Sequence, residues 1–159
     1  MSFRRGFTTI ELLCVMAVAA ILLGIALASS IHWGRGTAVR AAVSGTRSSL
    51  GLARRWAVTH RTGTDWHCGN SAAGDRGFCV IRPGSAGMLG NTNFLPSGIL
   101  FSTGSTGTIT FTSDGSCFTS NSAWSGDTME IVLADRELPG GISASTVILY
   151  RVTGYCRTR

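Results

Sequence analysis

The order of apolar and polar positions divides the chain into three stretches. From residue 7 to residue 28 it runs apolar in Leu, Ile, Val, Met and Ala, without Pro, Asp, Lys or Arg, and with Glu11 as its single carboxylate. About 20 such residues span a bilayer as a helix, so this stretch predicts a membrane helix. Next, apolar or small residues recur at Val39, Val43, Thr46, Leu50, Ala53 and Ala57. Steps of three and four mark one face of a helix, which should pack on the rest of the chain. Beyond Thr62, short runs rich in Val, Ile, Phe and Thr are bounded by Gly, Asn, Asp and Pro. They predict strands near 78–82, 98–102, 107–113, 117–120, 129–134 and 146–153, with a tight turn at Asp114-Gly115 and a break at Pro139-Gly140-Gly141. The expected class is α+β: a long N-terminal helix, membrane-spanning in its first half and amphipathic in its second, packed against a small antiparallel β-sheet head.

Charge sharpens this division. Residues 31–62 contain six arginines and no acid, for +6, whereas residues 63–159 set six arginines against seven acids, for −1. Arg40, Arg47, Arg54 and Arg61 fall seven apart and form a second stripe beside the apolar one. Such a stripe is either a solvated helix flank or a track for acidic patches on neighbours, anionic lipid heads or nucleic acid. Gly34 and Gly36 are expected to loosen the helix where it leaves the membrane. The 21 glycines are dispersed, which indicates turns rather than a flexible linker, and no internal repeat is evident.

The apolar run is longer than the roughly 7–15 residues of a secretory signal, and the processing point lies before it, at Gly6. Arg4 and Arg5 would keep the N-terminus on the cytoplasmic side. Glu11 then needs a reason, because an ionisable group within hydrocarbon costs a few kcal/mol, roughly 2.5–3.5 on insertion scales. Two arginines, Gly6, Phe7 and then Thr-Thr-Ile-Glu-Leu-Leu form a pattern that resembles the class III leader of type IV pilins and type II secretion pseudopilins. The resemblance implies that a prepilin peptidase cuts after Gly6 and methylates the new N-terminus at Phe7. It also implies that Glu11 sets register by pairing with a neighbouring subunit's N-terminal amine, a use that paired burial of charge permits. The expected segments are a cleaved leader (1–6), a transmembrane and filament-core helix (7–30), an amphipathic helix (31–62) and a β-rich periplasmic head (63–159). The implied location is the inner membrane, single-pass, and then a pilus or pseudopilus filament. The implied partners are other pilins or pseudopilins, the peptidase and an inner-membrane assembly platform, with no cofactor.

The head narrows the resemblance. "SSLGLARRWAVTHR", a Cys-containing hairpin, "ITFTSDGS" and a terminal "ILYRVTGYCRTR" are similar to the GspH/FimT branch of minor pilins and pseudopilins. Ala53-Arg54 matches the branch's helix pair, while the terminal Gly-Tyr-Cys-Arg-Thr-Arg departs from its Gly-Arg-x-Arg ending at Tyr155 and Cys156. The branch implies a subunit that primes or caps a filament. Its alternative is a DNA-binding subunit that uses Arg151, Arg157 and Arg159 on a lightly tethered C-terminal tail.

Cysteine usage fits export. Cys14 lies in the apolar helix, and Cys68, Cys79, Cys117 and Cys156 can pair in three ways in an oxidising compartment. Cys68–Cys79 across a hairpin and Cys117–Cys156 at the last strand are the favoured pairs. Catalysis finds little support. His60, His67, Cys68 and Cys79 lack the paired spacing of a zinc site, and no Gly-x-Ser-x-Gly elbow occurs. Asp114 and Asp127 sit in turn-like stretches without the alternating acids of a calcium loop.

Overall fold

The computed structural model describes residues 9–84, 87–119, 126–136 and 144–159, with 27–35 described by backbone alone. Arg4, Arg5, Gly6, Phe7 and the Pro139-Gly140-Gly141 break lie outside the described residues. One helix, α1 (Thr9–His60), continues through Gly34 and Gly36, which do not interrupt it. The chain divides into two compact units, Met1–Gly36 and Thr37–Arg159, and α1 runs through both.

In the first unit α1 carries the apolar run. The span Thr9–Ala26 is long and apolar enough to cross a membrane by length and composition, and all of it is exposed. Ile10, Leu13, Met16, Leu22 and Leu23, spread all round the helix, are exposed. A helix that is apolar all round is stable only in a membrane or inside a larger assembly.

In the second unit one stripe of α1 is buried. Val39, Ala42, Thr46, Leu50, Ala53 and Ala57 join a single core cluster or lie within it, and Val43 packs at its margin. The spacing of three and four therefore marks the packed face as expected. The helix ends on Arg61, whose φ of 52° and the Thr62 N–H to Ala57 O bond (3.2 Å) form a left-handed cap.

The head consists of two antiparallel sheets. A five-stranded sheet has the order β3-β2-β1-β5-β6, from β1 (Thr64–Asn70), β2 (Gly77–Pro83), β3 (Asn93–Phe94), β5 (Gly107–Phe111) and β6 (Cys117–Thr119). A four-stranded sheet has the order β4-β7-β8-β9, from β4 (Ile99–Phe101), β7 (Thr128–Asp135), β8 (Ser145–Tyr150) and β9 (Cys156–Thr158). Trp66, Ile109 and Phe111 from the first sheet share the core with Phe101, Met129, Ile131, Leu133, Val147 and Leu149 from the second. Each large apolar side chain so buried contributes about 1.5–3 kcal/mol. Polar groups join the layers: Asn70 donates to Phe101 O and accepts from Phe101 N–H, both at 2.9 Å, and the Trp66 indole donates to Ser49 Oγ of α1 at 2.9 Å.

Six expected runs each contain a strand, with two corrections. The run 146–153 stops at Tyr150, because the chain turns through Val152, 78% exposed, to Gly154 with φ of 59°. The last residues are not a loose tail: β9 pairs with β8, Arg157 opposite Ile148, and Arg159 N–H bonds Thr146 O at 2.9 Å. β1, β3 and β9 are additional to the expected set. The Asp114-Gly115 turn is present, closed by Gly115 N–H to Thr112 O and Thr112 N–H to Ser116 O, both 3.0 Å.

Candidate assembly segment and arginine clefts

The first candidate surface is the exposed apolar half of α1. Glu11 lies in the first turn of α1 and is exposed. A carboxylate in a helix's first turn meets unsatisfied N–H groups and the positive end of the helix dipole, worth about 0.3–1 kcal/mol. The local helix thus tolerates an acid at this position, and the apolar residues around it present a surface that only a lipid or another apolar helix would cover.

The four cysteines of the head are buried thiols and fall into two neighbourhoods. Cys68 and Cys79 face each other across β1 and β2. Ser71 N–H bonds Arg76 O at the end of that hairpin, so the alternation of an antiparallel ladder makes Cys68–Cys79 a non-hydrogen-bonded pair. Such pairs have Cα atoms about 4.5 Å apart, inside the roughly 4.4–6.8 Å range of disulfides. Burial pushes the Cys68 thiol up to about 12 and raises that of Cys79 as well. Cys117 joins the other sheet through its N–H bond to Arg151 O (2.8 Å), and Cys156 enters β9 beside the Tyr150 N–H to Tyr155 O bond (2.9 Å). Burial raises both thiols to about 11. Beside burial, the nearby Cys156 thiol also raises Cys117 while Arg151 and then Arg54 lower it, and Arg47 and then Arg54 lower Cys156.

His67 and Cys68 alternate to opposite faces of β1: His67 Nδ1 lies 3.0 Å from Thr108 Oγ1, while the Cys68 thiol contacts Ser105 O at 3.1 Å. His60 stacks on Trp56 at 3.8 Å at the end of α1. The four residues weighed as zinc ligands therefore do not converge. Asp114 accepts from the Thr112 hydroxyl, from Ser116 N–H (3.1 Å) and from Ser116 Oγ (2.9 Å), so its carboxylate closes its own turn. Asp127 is exposed, and its carbonyl accepts from Arg151 N–H at 2.9 Å.

The C-terminal arginines are positioned by different features. Arg151 donates to Gly126 O at 2.9 Å, Arg157 is exposed on β9, and Arg159 reaches α1. There a cleft of about 330 Å³ is lined by Arg40, Val43, Ser44 and Arg47 of α1 with Ser145, Thr158 and Arg159. A second cleft of about 240 Å³ is lined by Arg47, Gly51, Arg54 and Arg55 with Gly154, Tyr155 and Cys156. Arg54 Nε donates to Gly115 O at 3.3 Å, and a Cβ on Gly154 would lie 2.4 Å from the same oxygen. Helix, β5–β6 turn and β8–β9 turn therefore meet at Arg54. The spacing of seven pointed to Arg40, Arg47, Arg54 and Arg61 as a stripe; Arg61 falls past the end of α1 and lines neither cleft, and the addition of Arg55 and Arg159 comes only from the closure of the fold.

Residues 1–27 match the prokaryotic N-terminal methylation motif. The match supports a type IV pilin-like protein, one that a prepilin peptidase processes, that assembles with other pilins and that is structural rather than enzymatic. No curated protein and no solved structure matches the chain.

Proposed function

We propose that this chain is a minor pilin or pseudopilin of the GspH/FimT type that primes or caps a type IV pilus or a type II secretion pseudopilus. One observation carries the reading: the methylation motif, residues 1–27, contains an α-helical span, Thr9–Ala26, whose apolar side chains are exposed. A secreted domain would not retain such a surface, whereas a subunit moving from membrane to filament core needs it. On this reading residues 1–6 are a leader cut after Gly6, Phe7 is N-methylated, and residues 7–30 anchor the chain in the inner membrane. The helix 31–62 and the head 63–159 then lie in the periplasm. Glu11 supplies register, and the cysteines form Cys68–Cys79 and Cys117–Cys156 disulfides in that oxidising compartment.

Two substitutions separate maturation from assembly. Gly6→Val should leave the full-length, unmethylated precursor in the membrane. Glu11→Ala should allow cleavage, read as the mass of the N-terminal peptide, and reduce incorporation into filaments severalfold. Normal cleavage of Gly6→Val would refute the leader reading, and wild-type assembly of Glu11→Ala would refute the register role.

A further inference from the structure

The two clefts share Arg47 and lie along α1 from Arg40 to Arg55. Arg40 to Arg54 covers about 21 Å of helix at 1.5 Å per residue. With Arg159 across the first cleft, five arginines line the two clefts, and among the described residues no side-chain carboxylate lines either one. The ion pair Arg76–Asp75 (3.1 Å) lies elsewhere. Gathering like charges on a compact unit is unfavourable for the isolated chain. All fourteen basic residues of the chain are arginine, whose planar fork binds carboxylates in pairs of hydrogen bonds.

We propose that this arginine-lined track receives an acidic segment of a neighbouring pilin subunit. The proposal rests on the pilin reading and adds the chemistry of a second contact to it. Two observations favour a protein partner over nucleic acid. The track lies on the same helix whose first half carries the methylation motif and the uncovered apolar span, so the helix that enters an assembly also presents the arginines. Charge is also segregated along the chain: residues 31–62 hold six arginines and no acid, while residues 63–159 hold seven acids against six arginines, so a pilin-like subunit offers its carboxylates from the head and not from this part of the helix. The contact also accounts for Ser44 and Ser145, which give the cleft hydroxyls beside the guanidinium groups without adding charge.

The test uses the full-length chain in cells with the complete assembly apparatus, carrying a photoreactive residue as Ser44→benzoylphenylalanine. After irradiation the expected cross-link is to a pilin segment that contains Asp or Glu. Arg47→Glu should reduce it at least tenfold, and exchanging the partner's carboxylate for arginine should restore it. Arg40→Glu, at an exposed position, provides a second variant should Arg47→Glu fail to fold. A cross-link to nucleic acid, to lipid or to a segment without carboxylates overturns the proposal. So does a cross-link indifferent to both charge reversals, or none at all in processed subunits. The N-terminal mass is read in parallel. An unprocessed chain overturns the pilin reading together with this proposal, while a processed chain without the acidic cross-link overturns this proposal alone.

Discussion

Leu22 and Leu50 sit on the same unbroken helix, yet Leu22 is 61% exposed and Leu50 is 0% exposed. Residue type and backbone are the same, so the difference lies in what each region has for a partner. Around Leu50 the apolar positions form one stripe, with Gly51, Arg54 and Arg55 beside it, and the chain's own sheets cover that stripe. Around Leu22 apolar residues occupy every direction, including Val18, Ile21, Leu23 and Ile25, and all of them are exposed. The second half of α1 is therefore a structural element of the head, while the first half is an exposed apolar span consistent with membrane anchoring.

The largest expected effect tests that contrast directly. Leu50→Ala should destabilise the head by about 2–5 kcal/mol in denaturant unfolding, through lost burial and a residual cavity. Leu22→Ala should change head stability by less than about 0.5 kcal/mol. Similar costs at the two positions would break the comparison. Reduction of the proposed disulfides comes next: a thiol reductant should lower head stability by about 2–4 kcal/mol for each bond lost, and Cys117→Ser should remove part of that sensitivity. A smaller effect is expected at Gly154, where φ is 59° and a Cβ would lie 2.4 Å from Gly115 O. Gly154→Ala should cost about 1–3 kcal/mol and weaken the junction at Arg54, measured as the unfolding midpoint.

The smallest effect concerns pH. Hydrogen bonds from the Thr112 hydroxyl and then from Ser116 hold the Asp114 carboxyl below the usual carboxylate range. A folded-state value below the unfolded one stabilises the turn at neutral pH, and that contribution is lost as pH falls below about 4. Asp114→Asn should flatten the acid limb of the stability profile. An unchanged limb would show that the turn does not depend on the charge.

Several elements were hard to read along the chain for a physical reason. β1 carries Trp66 and Cys68 inward but Asp65, His67 and Gly69 outward, so its apolar signal is thin although its alternation is intact. Each flank supplies what the strand lacks, since β2 and β5 pair with it on both sides. β9 is only three residues, Cys156, Arg157 and Thr158, and exists because β8 provides a ladder. Of the C-terminal arginines, Arg157 thus lies in a strand, Arg159 directly follows it and lines a cleft with α1, and Arg151 sits in the turn after β8, bonded to Gly126.

The sequence by itself determined the apolar span, the buried stripe of α1, the arginines seven apart and the α+β class. Each of these is a periodic or compositional property that neighbouring residues carry together. Tertiary structure decided the division into two sheets, the meeting of Cys117 with Cys156 and the clefts that set Arg159 beside Arg40 and Arg47. These depend on residues from about 40 to about 120 positions apart, brought together by burial of one shared core, and no local pattern encodes such distances.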